Sequence, residues 1–79
     1  MNVSVTWFSI LREQAGRGEE TVEVEGGTAA DLYERLKARH RLTLGIASLR
    51  VAVNDAFADW DTVLASGDRV VFIAPVGGG

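Results

Sequence analysis

The sequence predicts an α+β fold, a small mixed sheet with one main helix packed on one face. Three observations predict it. Apolar residues recur with period two around 3–7, 22–24 and 49–53, the spacing of half-buried strands. One stretch, 29–40, carries apolar residues at helical spacing with charged residues on its other side. The chain has 79 residues and so forms one domain with one small core, because a chain this short buries only about 60% of its unfolded surface. A helix and a sheet sharing one core make two layers.

The elements come in this order. Val3, Val5 and Trp7 alternate with Asn2, Ser4 and Thr6, which predicts a first strand. Phe8 and Ile10 then place apolar groups on the opposite parity. Residues 10–16 form one short helical turn, and Gly16 to Gly18 a loop. Glu20 to Glu25 is a second strand, with Val22 and Val24 facing one way and Glu23 and Glu25 facing out. Gly26-Gly27 ends it. Thr28 and Asp31 then approach a capping box, and Asp31 sits where the helix dipole favours a negative charge. The helix is expected from about Ala29 to about His40. Leu32, Tyr33 and Leu36 face inward, and Glu34, Arg35, Lys37 and Arg39 face outward. Arg41 to Ser48 is irregular. Leu49, Val51 and Val53 share one face of a third strand, and Asn54-Asp55 is a turn pair. Ala56 to Ala58 is a short returning strand, and 61–64 a brief helical turn. Ser66-Gly67-Asp68 turns the chain into a last strand, Arg69 to Ala74. Strand, strand, helix, strand, short strand, strand is the order of a β-grasp, or ubiquitin-like, domain over 1–74. A flexible Gly-rich tail is expected over 75–79.

Composition removes several functions. Net charge is −3 and no run of Lys and Arg lines a strand or a long helix, so no nucleic-acid partner is expected. The acidic balance instead permits a basic protein partner. Without cysteine there is no disulfide, zinc-thiolate site or thiol nucleophile on this chain. No apolar run approaches the ~20 residues of a membrane span. The first residues already alternate like a strand and carry no basic leader, so the expected location is the cytoplasm and no membrane contact is expected. Asn2-Val3-Ser4 matches a glycosylation sequon, which means little without a secretory signal. His40 is the only histidine, and it reads as a solvated helix end rather than a catalyst. Asp55, Asp59 and Asp61 lack the spacing of a calcium loop and read as a solvated turn.

Two features ask for more than a core. With Val5, Trp7, Val70 and Phe72 inward, Phe8, Val71 and Ile73 point away from the helix, and Phe57 joins them. Central strands are often apolar on both faces. Yet a sheet with one bare face alternates cleanly, so these residues suggest a protein-binding patch. The second feature is the end, Pro75-Val76-Gly77-Gly78-Gly79. Pro75 has no N–H and stops ladder pairing. By composition alone the residues beyond it form a disordered terminus. Chemistry offers a second account. Five residues reach at most about 16–18 Å, and glycine passes a narrow channel in almost any conformation. A terminal carboxylate is ionised at neutral pH and is a poor electrophile. It needs activation, most simply as an acyl adenylate made from ATP. Ala15-Gly16-Arg17-Gly18 lacks the ending of a phosphate-binding loop, so activation has to come from a partner enzyme.

These residues resemble the MoaD/ThiS sulfur carriers, most of all the small subunits of molybdopterin synthase. The likeness spans the chain: Trp7-Phe8 running into Arg12-Glu13 and Gly16, then Val53-Asn54, then Leu64 with Gly67-Asp68 and Phe72, then Pro75-Val76 before the glycines. Ala74 departs from the family's usual proline, and Gly77 fills a variable position. The resemblance implies that an E1-like enzyme adenylates Gly79 using ATP and that a persulfide donor converts the adenylate to a thiocarboxylate. The tail then hands sulfur to a pterin precursor inside the large synthase subunit. The resemblance further implies that Gly78 provides clearance, that Phe8, Arg12, Phe57, Ile73, Pro75, Val76 and Gly77 contact partners, that no cofactor is bound, and that two small and two large subunits assemble. A carrier for thiazole or cysteine synthesis, or a ubiquitin-like interaction or conjugation module, is the alternative.

Overall fold

A computed structural model describes residues 1–75. Among them lie β1 (Asn2–Trp7), α1 (Ser9–Ala15), β2 (Glu19–Glu23), α2 (Ala29–His40), a 3-10 turn (Ile46–Ser48), β3 (Arg50–Val53), β4 (Ala56–Ala58) and β5 (Arg69–Ile73). The sheet order is β2-β1-β5-β3-β4. β1 and β5 are parallel, with Thr6 opposite Val71 and Trp7 opposite Phe72. The other pairs are antiparallel, so the sheet is mixed. α2 covers one face, which is the expected β-grasp arrangement. No helix among the described residues is long and apolar enough to cross a membrane.

The core lies between α2 and the sheet. Val3, Val5 and Trp7 are buried from β1, Val70 and Phe72 from β5, and Leu32, Tyr33 and Leu36 from α2. Val53 departs from the expected face set: Leu49 and Val51 are buried, but Val53 is half-buried beside the turn that ends β3. At that turn Asn54 and Asp55 both have positive φ, 52° and 71°. This is the mirror-image geometry that matches the twist of two-residue hairpins. α2 starts as its sequence indicates. The Asp31 backbone N–H donates to Thr28 Oγ1 at 3.2 Å, and the Thr28 N–H donates back to Asp31 Oδ2 at 3.0 Å.

The structure corrects four further expectations. α1 is longer than one turn, running over seven residues to a left-handed Gly16. β2 begins and ends earlier, although Val24 beyond it still donates to the Met1 carbonyl. Residues 61–64 are not helical; Val63 bridges Thr28 instead. The reason is tertiary: the Ala29 and Ala30 N–H groups, unpaired within the helix, donate to the Thr62 and Trp60 carbonyls. The segment is held extended to serve that helix end.

The fourth correction is His40, whose side chain is only 11% exposed. Its Nε2 lies 2.8 Å from Glu20 Oε2, and the same oxygen accepts from the Trp7 indole N–H at 2.8 Å. The imidazole also meets the Trp7 ring edge to face at 5.9 Å. His40 therefore clamps the end of α2 onto β1 and β2. Glu20→Ala is expected to cost about 1–3 kcal/mol by stranding the buried indole N–H, read from urea midpoints. Glu20→Gln, which keeps an acceptor, is expected to lose less.

The motif residues Asn54 and Asp68 meet in a second brace. Asp68 Oδ1 accepts from Asn54 Nδ2 at 2.9 Å, and Oδ2 accepts from the Ala65 N–H at 2.7 Å. The Ala65 bond, and then the Asn54 bond, hold the Asp68 carboxyl below its ordinary range. A depressed folded value means stability present above the unfolded pKa of about 3.9 and lost as pH falls through the folded value. The stability gap between wild type and Asp68→Ala is therefore expected to be constant near neutrality and to shrink below about pH 4. Urea titrations at pH 7 and pH 3 test this.

Candidate functional site

The face of the sheet opposite α2 carries an apolar row. Register places Phe57 opposite Ala52, Ala52 opposite Val71, and Val71 opposite Thr6. Two residues along, Ile73 pairs with Arg50. Phe8 has extended backbone, φ −131° and ψ 158°, so it continues the alternation of β1 on this same face, level with Ile73. Phe8 is 53% exposed and Phe57 71%, so neither belongs to the core. Val71 and Ile73 are half-buried. The one long helix, α2, buries its apolar residues on the other side of the sheet.

A groove of about 730 Å³ opens where β5 ends, lined by Leu49, Phe57, Trp60, Ile73, Ala74 and Pro75 among others. It joins two of the predicted contact residues, Phe57 and Ile73, to the start of the predicted tail at Pro75. Arg12 is not part of it. It is exposed on α1 and lines a separate shallow depression with Ser9, Glu13, Arg17 and the Gly16–Gly18 loop. Arg12 and Phe8 are nonetheless one helical turn apart, and the Arg12 N–H donates to the Phe8 carbonyl at 3.3 Å. Although the whole chain is acidic, an exposed arginine, Arg50, stands opposite Ile73 on the apolar face. Asp55, Asp59 and Asp61 are exposed, and Asp55 pairs with Arg69 at 2.7 Å.

Val76, Gly77, Gly78 and Gly79, which the sequence marks as the working end, lie outside the described residues. What the structure does fix is their point of departure. β5 stops at Ile73, Ala74 is half-buried, and Pro75 is exposed. Trp60 was not singled out from the sequence. Its indole stacks on Phe72, interplanar angle 4° and centroids 6.0 Å apart, and meets Tyr33 at 6.0 Å. The loop around it has no periodicity, so no sequence pattern marks it. Glu20, by contrast, carries a sequence signal. It shares parity with Val22 and Val24 and is therefore an inward carboxylate that needs a donor.

Comparison with known proteins agrees with this geometry. A model of the ThiS family matches residues 5–79. The chain is 37% identical over 82 aligned positions to the molybdopterin synthase sulfur carrier subunit of Mycobacterium tuberculosis, covering 100% of this chain and 99% of that one. SAMP1 from Haloferax volcanii superposes with a TM-score of 0.82 at 26% identity, covering 100% of both chains. The putative molybdopterin converting factor, subunit 1, from Pyrococcus furiosus has a TM-score of 0.81 at 31% identity, covering 96% of this chain and 99% of that one. A chain of the Amycolatopsis orientalis BexX/CysO complex has a TM-score of 0.69 at 28% identity, covering 98% and 99%.

Proposed function

The chain belongs to the ThiS family, and on that premise we propose that it is the sulfur carrier subunit of a molybdopterin synthase. The observation that carries this reading is a family match that runs to Gly79 itself. The Mycobacterium tuberculosis relative, similar over its full length, bears the same function in its name.

The reacting group is the Gly79 carboxylate. In an E1-like partner, a carboxylate oxygen attacks the α-phosphorus of ATP, pyrophosphate leaves, and an acyl adenylate forms. The terminal sulfur of a persulfide donor attacks the acyl carbon and AMP leaves. A second thiol of the donor cleaves the acyl disulfide, leaving a disulfide on the donor and freeing the thiocarboxylate. In the large subunit its sulfur bonds to a carbon of the pterin precursor, and water then cleaves the acyl–sulfur bond, leaving the sulfur on the pterin and restoring the Gly79 carboxylate. Gly78 keeps the approach to the carbonyl carbon open. ATP is used by the partner, and this chain supplies the donor group rather than a catalyst and binds no cofactor itself. The reading places it in the cytoplasm, where ATP for activation is available.

Phe8, Phe57, Ile73 and Arg12 form the docking surface, with Pro75, Val76 and Gly77 leading into the partner. Two small and two large subunits make the assembly. Phe8→Glu is expected to weaken large-subunit binding about 10- to 100-fold while leaving the melting temperature unchanged, since Phe8 is half exposed. Isothermal titration and calorimetry check the two halves.

Intact mass after incubation with ATP, activating enzyme and sulfur donor tests the reading directly. One sulfur-for-oxygen exchange is expected, and none when Gly79 is deleted. No exchange on the wild-type chain would end it. The likeness to a chain of the BexX/CysO complex favours a second reading, a carrier serving another sulfur pathway. Co-purification separates the two: a large synthase subunit supports the first, any other sulfur-accepting enzyme the second.

A further inference from the structure

We infer that Trp60 is a positioning residue that sets the direction in which the tail leaves the domain; the inference rests on the carrier reading above. β5 ends at Ile73, so no ladder hydrogen bond orients Ala74 and Pro75. Pro75 fixes its own φ and restricts Ala74 to extended backbone, which stiffens the exit but does not aim it. Aim has to come from what the exit rests on. Trp60 lines the groove together with Ala74 and Pro75. Trp60 and Ala74 are both half-buried and packed against the core.

The indole is itself held. Its ring lies parallel to Phe72 at 6.0 Å and edge to face with Tyr33 at 6.0 Å. Its backbone carbonyl accepts from the Ala30 N–H at 3.0 Å, which ties it to the first turn of α2. The wall beneath the exit is thus anchored to both layers of the fold. Four residues remain beyond Pro75, and they reach at most about 14 Å. On so short a tether, a change of direction at the base moves the reactive end by a comparable distance. A smaller side chain at 60 opens a void into which 74–75 can sink. The chain has Ala74 just before its single proline, so the exit has no second ring to compensate.

The test compares wild type, Trp60→Leu, Trp60→Phe and Ala74→Gly, each loaded to completion as thiocarboxylate and then mixed with saturating large subunit in a single turnover. Trp60→Leu is expected to transfer sulfur at least about tenfold more slowly, the scale of a misplaced reacting group, with an unchanged Kd for the large subunit. Trp60→Phe, which keeps a flat ring on Phe72, restores the rate to within about threefold of wild type. Ala74→Gly loosens the same exit while removing a single half-buried methyl group, and it covers the case in which Trp60→Leu fails to fold. It is expected to slow transfer at unchanged Kd. A wild-type transfer rate in a folded Trp60→Leu, or in Ala74→Gly where Trp60→Leu does not fold, overturns the inference. So does a loss explained wholly by weaker Kd, which would make Trp60 an interface residue. A wild-type chain that never loads overturns the carrier reading and this inference together; a wild-type chain that loads and transfers beside unaffected variants overturns this inference alone.

Discussion

A chain extended by one residue beyond Gly79 is expected to fold as wild type does and to deliver no sulfur. The added residue moves the terminal carboxylate by about 3.5 Å. Misplacement of a reacting group by even about 1 Å costs on the order of a hundredfold, so the loss is expected to exceed that. Folding is expected to be untouched because, among the described residues, the last core residue is Phe72 and the last ladder position Ile73. Deletion of Gly79 shortens the reach by the same distance and gives the same loss. Urea midpoints show the intact fold, and intact mass with single-turnover transfer shows the lost chemistry. An extended chain that still transferred sulfur would remove the terminal carboxylate from the mechanism and leave only the docking face.

The folded body was legible in the sequence because each of its elements obeys a local rule. The alternation of Val3, Val5 and Trp7 fixes which face of β1 is buried, and the break at Phe8 shows apolar surface on the other face. The Thr28–Asp31 capping box sets the start of α2 to the residue. What sequence reasoning misplaced depends on distant partners. Residues 61–64 have turn-forming composition, but their backbone is recruited to close the N-terminus of α2. His40 lies among arginines and looks solvated until β2 brings Glu20 to it across 20 positions of chain. Trp60 needs Phe72 and Tyr33 to define its place, and neither is near it in sequence. The Arg12 side chain lies beside Gly18, a neighbourhood that only the fold of α1 and its following loop creates. Local pattern thus reveals faces and ends, whereas side-chain clusters closed by long-range contacts do not show until the chain is folded.

Phe72→Ala is expected to be the most destabilising of these substitutions, at about 3–5 kcal/mol. Phe72 is fully buried on β5, opposite Trp7 on one side and Val51 on the other. Its ring lies 5.0 Å from Tyr33, 5.5 Å from Trp7 and 6.0 Å from Trp60. Three aromatic walls fixed by hydrogen bonds or backbone ties collapse poorly into a void, which places the cost at the upper end of that range. A domain of this size has about 4–12 kcal/mol in total, so much of the variant is unfolded near physiological temperature. Ile73→Ala, one residue on and facing the other way, is the control. It removes a side chain that is only half-buried, so it is expected to cost no more than about 1–1.5 kcal/mol and to weaken large-subunit binding instead. Paired urea unfolding curves decide it. If the two substitutions cost the same, the outer face of the sheet is covered by something in the isolated chain, and Phe8, Phe57 and Ile73 are not free to dock.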